Sequence, residues 1–373
     1  MAEFTIDPDI RRAKTLSSKF YTDERFFEMS KERIFARTWQ FAGRVDEIEN
    51  LKPVTLLPGM LDEPVLLSRT DDGVRCLSNV CTHRGKILVE EGCHANLIRC
   101  GYHGRRFDLN GKFLSMPEFA GVEDFPSESD NLKQVPIATR GGFVFASVDP
   151  IAPFTDFVDD AAVRLDDVEP AELKLVSTRN YDVDAHWALY CENYLEGFHI
   201  PFVHHSLNEI VDYGTYTTET FRYSSLQTGY SSPPSEGGVA GSSSPPDLRR
   251  GADASSAGWS ADGVVADRQV AGRYLFIFPN LMFNFYPWGV SVNIVRPTSP
   301  SRSIVEFLTY VSDESKLGSG AGADLDRVEL EDEAVVESVQ RGIRSRFYSH
   351  GRYSPTREKG THHFHGLIAE FMS

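Results

Sequence analysis

The feature that most constrains this chain is a pair of short motifs, C-T-H at residues 81–83 and C-G-Y-H at residues 100–103. Two thiolates can hold one iron of a 2Fe–2S cluster while two imidazoles hold the other, which is the ligand set of a Rieske centre. A glycine closely follows each motif, and a glycine beside a ligand lets backbone N–H groups approach the cluster sulfurs. The spacing therefore predicts a cluster bound by Cys81, His83, Cys100 and His103.

A structural zinc site is the competing interpretation, because zinc uses the same residue types. Zinc modules more often combine C-x-x-C with two histidines three to five residues apart, so the Rieske interpretation is preferred. The other cysteines, Cys76, Cys93 and Cys191, are expected to be small buried side chains. Cys93 and His94 are not expected to form a ligand pair, because adjacent residues of a strand point apart.

A second group of possible metal ligands lies in the segment CENYLEGFHIPFVHH near the middle of the chain. Glu196 and His199 share one helix face at a spacing of three. His199 and His204 would point about 140° apart on an ideal helix with 100° per residue, so both reach one ion only if the helix is distorted. Pro201 between them supplies a cause. Two histidines and one carboxylate form the facial triad of non-haem Fe(II) oxygenases; His205 is the main competitor of His204.

The third ligand has to come from another part of the chain. A helix predicted at residues 324–348 has apolar positions at a period of three to four, namely Leu330, Ala334, Val335, Val339 and Ile343. Its acidic candidates are Asp326, Glu329, Glu331, Asp332, Glu333 and Glu337. Most of these must be ordinary solvated charges. Asp332 lies beside apolar positions such as Val328 and Val335, so it can face inward, where a carboxylate needs a cation. These residues alone leave the choice open.

The pattern of apolar runs and turn residues along the sequence predicts an α+β fold in three parts. Residues 1–38 contain a predicted helix at about 22–36 and are expected to pack on the catalytic domain. Residues 39–150 hold short runs such as PVTLL, EPVLLSR and GGFVFASV between turn residues, which predicts a small antiparallel β domain. Residues 151–373 form the larger catalytic domain, in which RYLFIFPNLMFNFYPW, VSVNIVRP and SIVEFLTYV are predicted to be consecutive strands of one sheet.

Other segments of this larger part are less regular. Residues 181–208 are predicted to be helical and partly buried, and residues 160–175 a surface helix or linker. Residues 223–263 are rich in Ser, Gly and Pro. They are predicted to form a mobile excursion inside the domain, because β texture resumes after them.

Length and charge narrow the functional classes. A chain of 373 residues is long enough for two domains, and a net charge of −16 argues against a nucleic-acid partner. No apolar run approaches the roughly 20 residues of a membrane span, and the first residues lack the pattern of a signal peptide. Five cysteines, an odd number, favour a reducing cytoplasm over a disulfide framework. A cytoplasmic protein without a membrane or nucleic-acid partner is expected.

Together these motifs resemble the Rieske non-haem iron oxygenases of the α-subunit type. The resemblance rests on CTHRG and CGYHG, ENYLEGFHIPFVH, FPNLMFN and EDEAVVESVQRG, which occur in this order over nearly the whole chain. It implies a Rieske β domain, a helix-grip-like catalytic domain with mononuclear Fe(II), and a homotrimeric ring. It also implies that Asp332 is the carboxylate ligand and that Asn193 is a polar residue near the iron. The alternative for Asn193 is a plain position on a helix surface.

The same resemblance implies a path for electrons. They would cross from the cluster of one subunit to the iron of its neighbour, with Glu196 as the bridge between His103 of one chain and His199 of the next. A Glu at this position is similar to the branch that contains choline-, betaine- and carnitine-oxidising enzymes. The family often has Pro at position 101 and Trp at position 105. Gly101 and Arg105 could therefore alter the cluster surface that meets the next subunit or the electron donor.

The activity implied is that of a terminal oxygenase. It would use O₂ and electrons from a reductase, with or without a ferredoxin, to hydroxylate or oxidatively demethylate a small quaternary ammonium or aromatic substrate. The chain has no GxGxxG and no plant-type C-x₄-C-x₂-C motif, so NAD(P)H acts only indirectly through the reductase. The alternative function is a Rieske electron-transfer protein with a vestigial second metal site.

The substrate itself is not specified by any motif. One strand-forming run is rich in aromatic residues: Phe276, Phe278, Phe283, Phe285, Tyr286 and Trp288. Alternating aromatics in a strand usually belong to the core, which is the preferred interpretation. A cation–π cage for a quaternary ammonium group is the alternative.

Overall fold

The structure, a computed structural model, describes residues 4–165, 172–232, 269–316 and 325–373. It combines several small antiparallel sheets with one large antiparallel sheet and eight helices within these ranges. The α+β fold class predicted from the sequence is confirmed. Residues 233–263, most of the predicted excursion, lie outside the described residues.

The N-terminal segment forms two helices where the sequence predicted one, α1 (Ser18–Thr22) and α2 (Glu24–Arg33). Asp23 separates them, because its extended backbone ends α1 while its side chain accepts the N–H of Arg25 at the start of α2. An Asp in this position is a favoured N-cap. After α2 the chain makes a short 3₁₀ turn, where the ring of Phe35 contacts that of Trp187 at 4.9 Å. The segment thereby packs on the larger half of the molecule.

The first half of the chain contains ten short strands, as its alternating runs and turn residues predict. They form three antiparallel sheets with the orders β1-β10-β9, β2-β3-β4-β8 and β5-β6-β7. The strands are β1 (Gln40–Arg44), β2 (Leu51–Leu56), β3 (Glu63–Thr70), β4 (Gly73–Ser78), β5 (Ile98–Arg99), β6 (Arg106–Phe107), β7 (Phe113–Ser115), β8 (Gln134–Val135), β9 (Ile137–Arg140) and β10 (Phe143–Ala146).

The second half is built on one antiparallel sheet of seven strands in the order β11-β17-β16-β15-β14-β13-β12. The elements are α3 (Thr155–Ala162), β11 (Lys174–Val183), α4 (Trp187–Tyr194), α5 (Ile200–Val203), α6 (His205–Ile210), β12 (Thr217–Thr220), β13 (Ser224–Tyr230), β14 (Val270–Ile277), β15 (Leu281–Tyr286), β16 (Gly289–Ser299), β17 (Arg302–Val311), α7 (Leu325–Gly342) and α8 (Lys359–Met372). The prediction that the three apolar runs are consecutive strands of one sheet is confirmed.

Four boundaries differ from the sequence predictions, and the first is that α7 ends at Gly342 rather than at residue 348. Residues 181–183 are not helical, because they continue β11 and pair with β17. Of residues 160–175, the first three end α3 and the last two begin β11, while residues 166–171 lie outside the described residues. The Ser-rich excursion begins later than residue 223, because β13 hydrogen-bonds to both β12 and β14 and buries its serines between them.

Helix α7 presents a different face to the protein from the one predicted. Leu330, Ala334 and Val339 are exposed, whereas Glu329 and Gln340 are buried together with Val336 and Ile343. Polar contacts account for this orientation: Glu329 accepts the hydroxyl of Tyr190, and Gln340 accepts the N–H of His186. Buried polar groups need such partners, so α7 is oriented by its contacts with α4 rather than by its apolar period.

Candidate metal centres

The two Cys/His motifs occupy two loops with the same backbone pattern, one after β4 and one after β5. In each loop the cysteine N–H donates to the carbonyl of the residue five positions later, at 2.8 Å. The N–H of Gly85 or Gly104 donates back to the carbonyl of Cys81 or Cys100, at 3.0 and 3.1 Å. Both glycines have a positive φ, +70° and +75°, which favours glycine over any other residue. The C-x-H and C-x-x-H motifs therefore encode two copies of one turn.

These turns bring the four predicted cluster ligands together. The Nδ1 atoms of His83 and His103 lie 3.1 Å apart, while the thiols of Cys81 and Cys100 contact each other. Both cysteines are buried and both histidines are half-buried. The donor set fits a Rieske cluster: the two buried cysteines would hold one iron and the two half-buried histidines would hold the other.

The backbone around Cys100 also favours a thiolate. Burial alone raises the pKa of Cys100, but N–H groups of Tyr102 and His103 point at the sulfur and lower it, and the net direction is downward. The N–H of Tyr102 lies 3.5 Å from Sγ. A thiolate is the form of cysteine that binds metal.

Arg105 does not contribute to the cluster surface, contrary to one of the sequence expectations. Its side chain is buried, pairs with Asp130 and lies over the ring of Phe113 at 4.8 Å. Gly101 is exposed beside the cluster loops. Only Gly101 of these two positions can therefore change the surface that a partner meets.

Two of the remaining cysteines are buried as expected, but Cys93 is exposed. Its backbone pairs with that of Leu51 in an isolated β-bridge. This contact uses backbone atoms alone, so the thiol can face the solvent. Cys93 therefore provides a matched control for the cluster ligands.

Replacing Cys100 with serine is expected to remove the cluster, because a neutral hydroxyl is a poor ligand for iron compared with a thiolate. The wild-type protein should be brown, and after reduction it should show a rhombic EPR signal of low average g. Cys100→Ser protein should lose both, while Cys93→Ser protein should keep both. An unchanged spectrum in Cys100→Ser protein would contradict the assignment of this ligand.

The second group of ligands lies where the predicted helix breaks into α4, α5 and α6. Leu195 ends α4, His199 precedes α5, and His204 separates α5 from α6. Pro201 does not kink a continuous helix as expected; it stands in the first turn of α5, where a missing N–H costs nothing. The two breaks place the rings of His199 and His204 5.1 Å apart.

Asp332 of α7 completes this group. Its Oδ1 lies 3.0 Å from Nε2 of His204 and 3.6 Å from Nε2 of His199, and one atom from each residue fits within 4.8 Å of the others. His204 is buried whereas His205 is exposed. Two imidazoles and one carboxylate oxygen that converge on one point fit the facial triad of a non-haem iron.

Each imidazole is held by a second carboxylate at its other nitrogen. Nδ1 of His199 lies 2.7 Å from Oε1 of Glu196, and Nδ1 of His204 lies 2.7 Å from Oε2 of Glu331. Such contacts fix the ring orientation and leave Nε2 for the metal. Glu331 is a site residue that the sequence reasoning missed, because one acid among six in a helix carries no distinguishing signal.

The electrostatics of the group suit a cation. Burial lowers the pKa of His204, but hydrogen bonds and charges of Asp332 and Glu331 outweigh that effect and raise the pKa overall. The carboxylates around this imidazole therefore stabilise a positive charge. A divalent iron bound to Nε2 would supply that charge in place of a proton.

Asn193 and Glu196, the other predicted site residues, both contact this group. Asn193 donates from Nδ2 to Oδ1 of Asp332 at 2.6 Å. Glu196 also accepts the backbone N–H of Phe198, and that of His199 at 3.2 Å. These hydrogen bonds position Asn193 and Glu196 around the ligands.

A cavity of about 110 Å³ opens beside the three ligands. Tyrosines form much of its wall: Tyr190, Tyr194, Tyr216, Tyr274 and Tyr286. No Lys or Arg is among its lining residues in the described part of the chain. Of the aromatic run singled out in the sequence, Tyr286 lines this cavity, whereas the Phe and Trp residues are buried in the core.

Glu329 is an unusual member of this wall. Its Oε2 accepts the hydroxyl of Tyr190 at 2.5 Å, while its Oε1 is buried and has no hydrogen-bond partner among the residues that the structure describes. Burial raises the pKa of this carboxyl well above its usual value, and the charges of Asp332 and Glu333 raise it further against the hydrogen bond from Tyr190.

A family model described as Ring hydroxylating alpha subunit (catalytic domain) matches residues 170–373, more than half of the chain. The chain belongs to this family. A second model, the Rieske 2Fe–2S domain, matches residues 38–126. This ring-hydroxylating α subunit is the terminal oxygenase of a Rieske oxygenase system, and as the oxygenase component it works with a reductase and O₂. The alternatives of a pure electron carrier and of a zinc module are thereby excluded.

Similar proteins span the whole subunit. Choline monooxygenase, chloroplastic, of Arabidopsis thaliana is 29% identical over 388 residues, which cover 99% of this chain and 85% of the relative. The carnitine monooxygenase oxygenase subunit of Escherichia coli K12 is 28% identical over 378 residues, covering 96% and 94%. The crystal structure of a quaternary ammonium Rieske monooxygenase in complex with L-carnitine is 25% identical with a TM-score of 0.73, covering 98% and 97%.

A more distant structure shares the fold of this subunit. Naphthalene 1,2-dioxygenase with bound indole is 21% identical with a TM-score of 0.69, and covers 96% of this chain and 92% of that one. In the parts of the chain that the structure describes, the helices are too short or too polar to cross a bilayer.

Proposed function

We propose that this oxygenase acts on a small quaternary ammonium compound. The observation that carries the proposal is the cavity beside His199, His204 and Asp332, which has a tyrosine wall and no Lys or Arg among its lining residues in the described part of the chain. A cation is attracted to the faces of aromatic rings. A volume of about 110 Å³ is well below the 300–1,000 Å³ of typical ligand pockets, which favours a compact substrate.

Three tyrosines form a continuous part of this wall. The rings of Tyr216 and Tyr274 lie 6.4 Å apart, and those of Tyr274 and Tyr286 lie 6.0 Å apart. The unpartnered carboxyl oxygen of Glu329 offers a countercharge, because a bound cation would favour its ionised form. Relatives named as choline and carnitine monooxygenases support the same substrate class.

The charge of the lining favours a substrate without a carboxylate. A buried carboxylate is best stabilised by a cationic side chain, and no Lys or Arg is among the lining residues in the described part of the chain. Glu196 adds negative charge to this lining. We therefore expect a choline-like alcohol to be a better substrate than carnitine.

The residue roles follow the geometry of the two centres. Cys81, His83, Cys100 and His103 hold the 2Fe–2S cluster, and His199, His204 and Asp332 hold the mononuclear iron. When bound, the cluster supplies electrons one at a time and the iron activates O₂. Asn193, Glu196 and Glu331 orient the iron ligands through their hydrogen bonds, and the tyrosine wall holds the substrate cation and excludes water.

We also propose the division of the chain into an N-terminal segment at 1–38, a Rieske domain at 39–150 and a catalytic domain at 151–373.

In a homotrimer the Rieske domain of one subunit meets the catalytic domain of the next. Two observations support this. Phe198 and Phe202 are 40% and 56% exposed next to Glu196, and Tyr102, stacked on His103 at 3.6 Å, is 55% exposed. Such apolar groups beside both centres suit an interface.

The substrate class can be tested with a matched pair of compounds. Choline and 3,3-dimethyl-1-butanol have similar shape, but only choline carries a charge. With a surrogate reductase, we expect the enzyme to oxidise choline and to leave the neutral analogue unchanged, with O₂ uptake coupled to product formation. Carnitine should be the poorer ammonium substrate. Turnover of aromatic acids in preference to ammonium compounds would contradict the proposal.

Variants of Tyr286 test the role of the tyrosine wall. Tyr286→Leu should raise KM for the ammonium substrate by about tenfold, because a desolvated cation–π contact contributes roughly 1–2 kcal/mol. Tyr286→Phe keeps the ring and should change KM little. Equal effects of the two substitutions would indicate that the hydroxyl, not the ring face, matters.

A further inference from the structure

A second cavity, of about 330 Å³, lies on the opposite face of the large sheet from the iron pocket. Alternate side chains of β15 separate the two: Phe283 and Phe285 line this cavity, whereas Asn284 and Tyr286 line the iron pocket. In a β-strand successive side chains point to opposite faces. Among the described residues, the two cavities have no lining residue in common, so this one is a separate site behind the substrate pocket.

The cavity is bounded by parts of both domains. Its far wall comes from β10 and α3, where Phe145 stacks on Phe154 with ring centroids 4.2 Å apart. Most of the remaining lining is aliphatic or aromatic. At about 330 Å³ it falls in the size range of small-molecule sites.

One polar group stands out in this apolar lining. Arg44 is only 8% exposed. Its Nε and Nη2 bind Asp46 at 2.9 and 3.0 Å, but its Nη1 is buried and has no hydrogen-bond partner among the described residues. Arg44 and Arg140 both line the cavity, and no acidic residue is among its lining residues in the described part of the chain, so the lining favours an anionic group.

The surroundings hold Arg44 in this position. Its guanidinium lies over the rings of Phe143 and Tyr310 at 5.0 and 5.4 Å. Gly142 packs against it, and a Cβ at that position would come within 3.1 Å of Nη2. Arg140, which pairs with Asp159 at 3.2 Å, also lines the cavity. The guanidinium is therefore pre-positioned, which reduces the entropy lost when it binds a ligand.

We propose that this cavity binds a small apolar monocarboxylic acid. The carboxylate pairs with the guanidinium of Arg44, and the apolar body lies between the phenylalanine rings of β10 and β15 and that of Phe154, which precedes α3. A carboxylate is the acceptor that matches a guanidinium best, and the apolar walls select a ligand with an aromatic or aliphatic body. This site is independent of the substrate assigned to the iron pocket.

The binding test uses calorimetric titration of the full-length holoenzyme with 4-phenylbutyrate and with 4-phenylbutan-1-ol. The two compounds share their apolar body, but only the acid presents a carboxylate. We expect the acid to bind one site per chain, at least about tenfold more tightly than the alcohol, because charge-assisted hydrogen bonds are the stronger class. No binding of the acid, or equal affinities for the two compounds, would overturn the proposal.

Two variants locate the site. Arg44→Gln should remove the preference for the acid over the alcohol. Ala162→Phe places a ring in the cavity from α3 and should abolish binding of both compounds, while the cluster spectrum and turnover stay unchanged. If Arg44→Gln protein does not fold, Ala162→Phe still decides the question. Undiminished binding of the acid to Ala162→Phe protein would refute the location.

A third variant separates this cavity from the iron pocket. His204→Ala should bind 4-phenylbutyrate with wild-type affinity, because His204 lies on the other face of the sheet. Loss of acid binding in His204→Ala protein would place the ligand in the iron pocket and refute the proposal. Failure of the quaternary ammonium proposal would leave all of these binding results unaffected.

Discussion

Asp332→Ala protein is expected to form no product while keeping the spectrum of its 2Fe–2S cluster. The carboxylate oxygen of Asp332 lies 3.0 Å from Nε2 of His204 and 3.6 Å from that of His199. Its removal leaves two imidazoles, which are too few to hold a non-haem Fe(II) in a facial site. The cluster ligands are on other loops and are not touched. Iron analysis should fall from about three to about two atoms per chain, since a Rieske cluster contains two.

The activities of two further variants in the same region give a scale for the loss expected in Asp332→Ala protein. Asp326, an acid of the same helix, is half-exposed and pairs with Arg179, so Asp326→Ala should keep wild-type turnover. Asn193→Ala removes only the hydrogen bond to Asp332 and should reduce activity about 10–100-fold, as is typical of partners that orient a ligand. An active Asp332→Ala enzyme would require another carboxylate ligand, and Glu331, 2.7 Å from Nδ1 of His204, would be the first to examine.

Glu196→Gln protein is expected to bind both metals and to accept electrons from the reductase, but to pass them on slowly. Glu196 accepts from Nδ1 of His199 at 2.7 Å through Oε1, while its Oε2 accepts the backbone N–H groups of Phe198 and His199. The bridge that the family resemblance implies requires this carboxylate to accept from His103 of the neighbouring subunit as well. Glutamine keeps the size but removes the charge and one acceptor. Reoxidation of the prereduced cluster with substrate and O₂ present should slow about 10–100-fold, as measured by rapid mixing.

Glu209→Gln is the matched control, because Glu209 is exposed on the nearby helix α6. Its reoxidation should equal that of the wild type. Reoxidation of Glu196→Gln at the wild-type rate would rule out the bridge.

Mixed oligomers test whether electrons cross between subunits. His103→Ala chains lack a cluster ligand and Asp332→Ala chains lack an iron ligand, so each alone should be inactive. Co-assembled chains should regain part of the activity, because an intact cluster can then serve an intact iron site next to it. Complete inactivity of the mixture would indicate transfer within one chain.

The sequence was most informative where the ligands of a centre are close along the chain. The C-x-H and C-x-x-H motifs encode turns whose hydrogen bonds span only four or five residues, so their spacing already contains most of the geometry. The same holds for His199 and His204, although the reason given for their approach was wrong. The helix does not kink at Pro201 but ends and restarts around each histidine.

The sequence was least informative where a site depends on helix orientation. Helix α7 has an apolar period that predicts a buried face containing Leu330 and Val339, and both residues are exposed. The cost of leaving them exposed is offset by contacts of Glu329 and Gln340 with α4. The apolar period of a helix predicts which of its side chains share a face. It does not predict which face is turned inward when a neighbouring helix offers polar partners.

What the sequence by itself determined is the chemistry: a cluster of two thiolates and two imidazoles, and a pair of histidines for a second metal. It also determined that three apolar runs form consecutive strands of the large sheet. What only the tertiary structure decided is which acid completes the iron site, which carboxylates hold its imidazoles, and which aromatic rings line the substrate cavity. Asp332 and His204 are 128 residues apart in the chain. Contacts over such separations arise from the packing of whole elements. On β15, one residue of strand register decides that Tyr286 lines the iron pocket and Phe285 lines the cavity behind it.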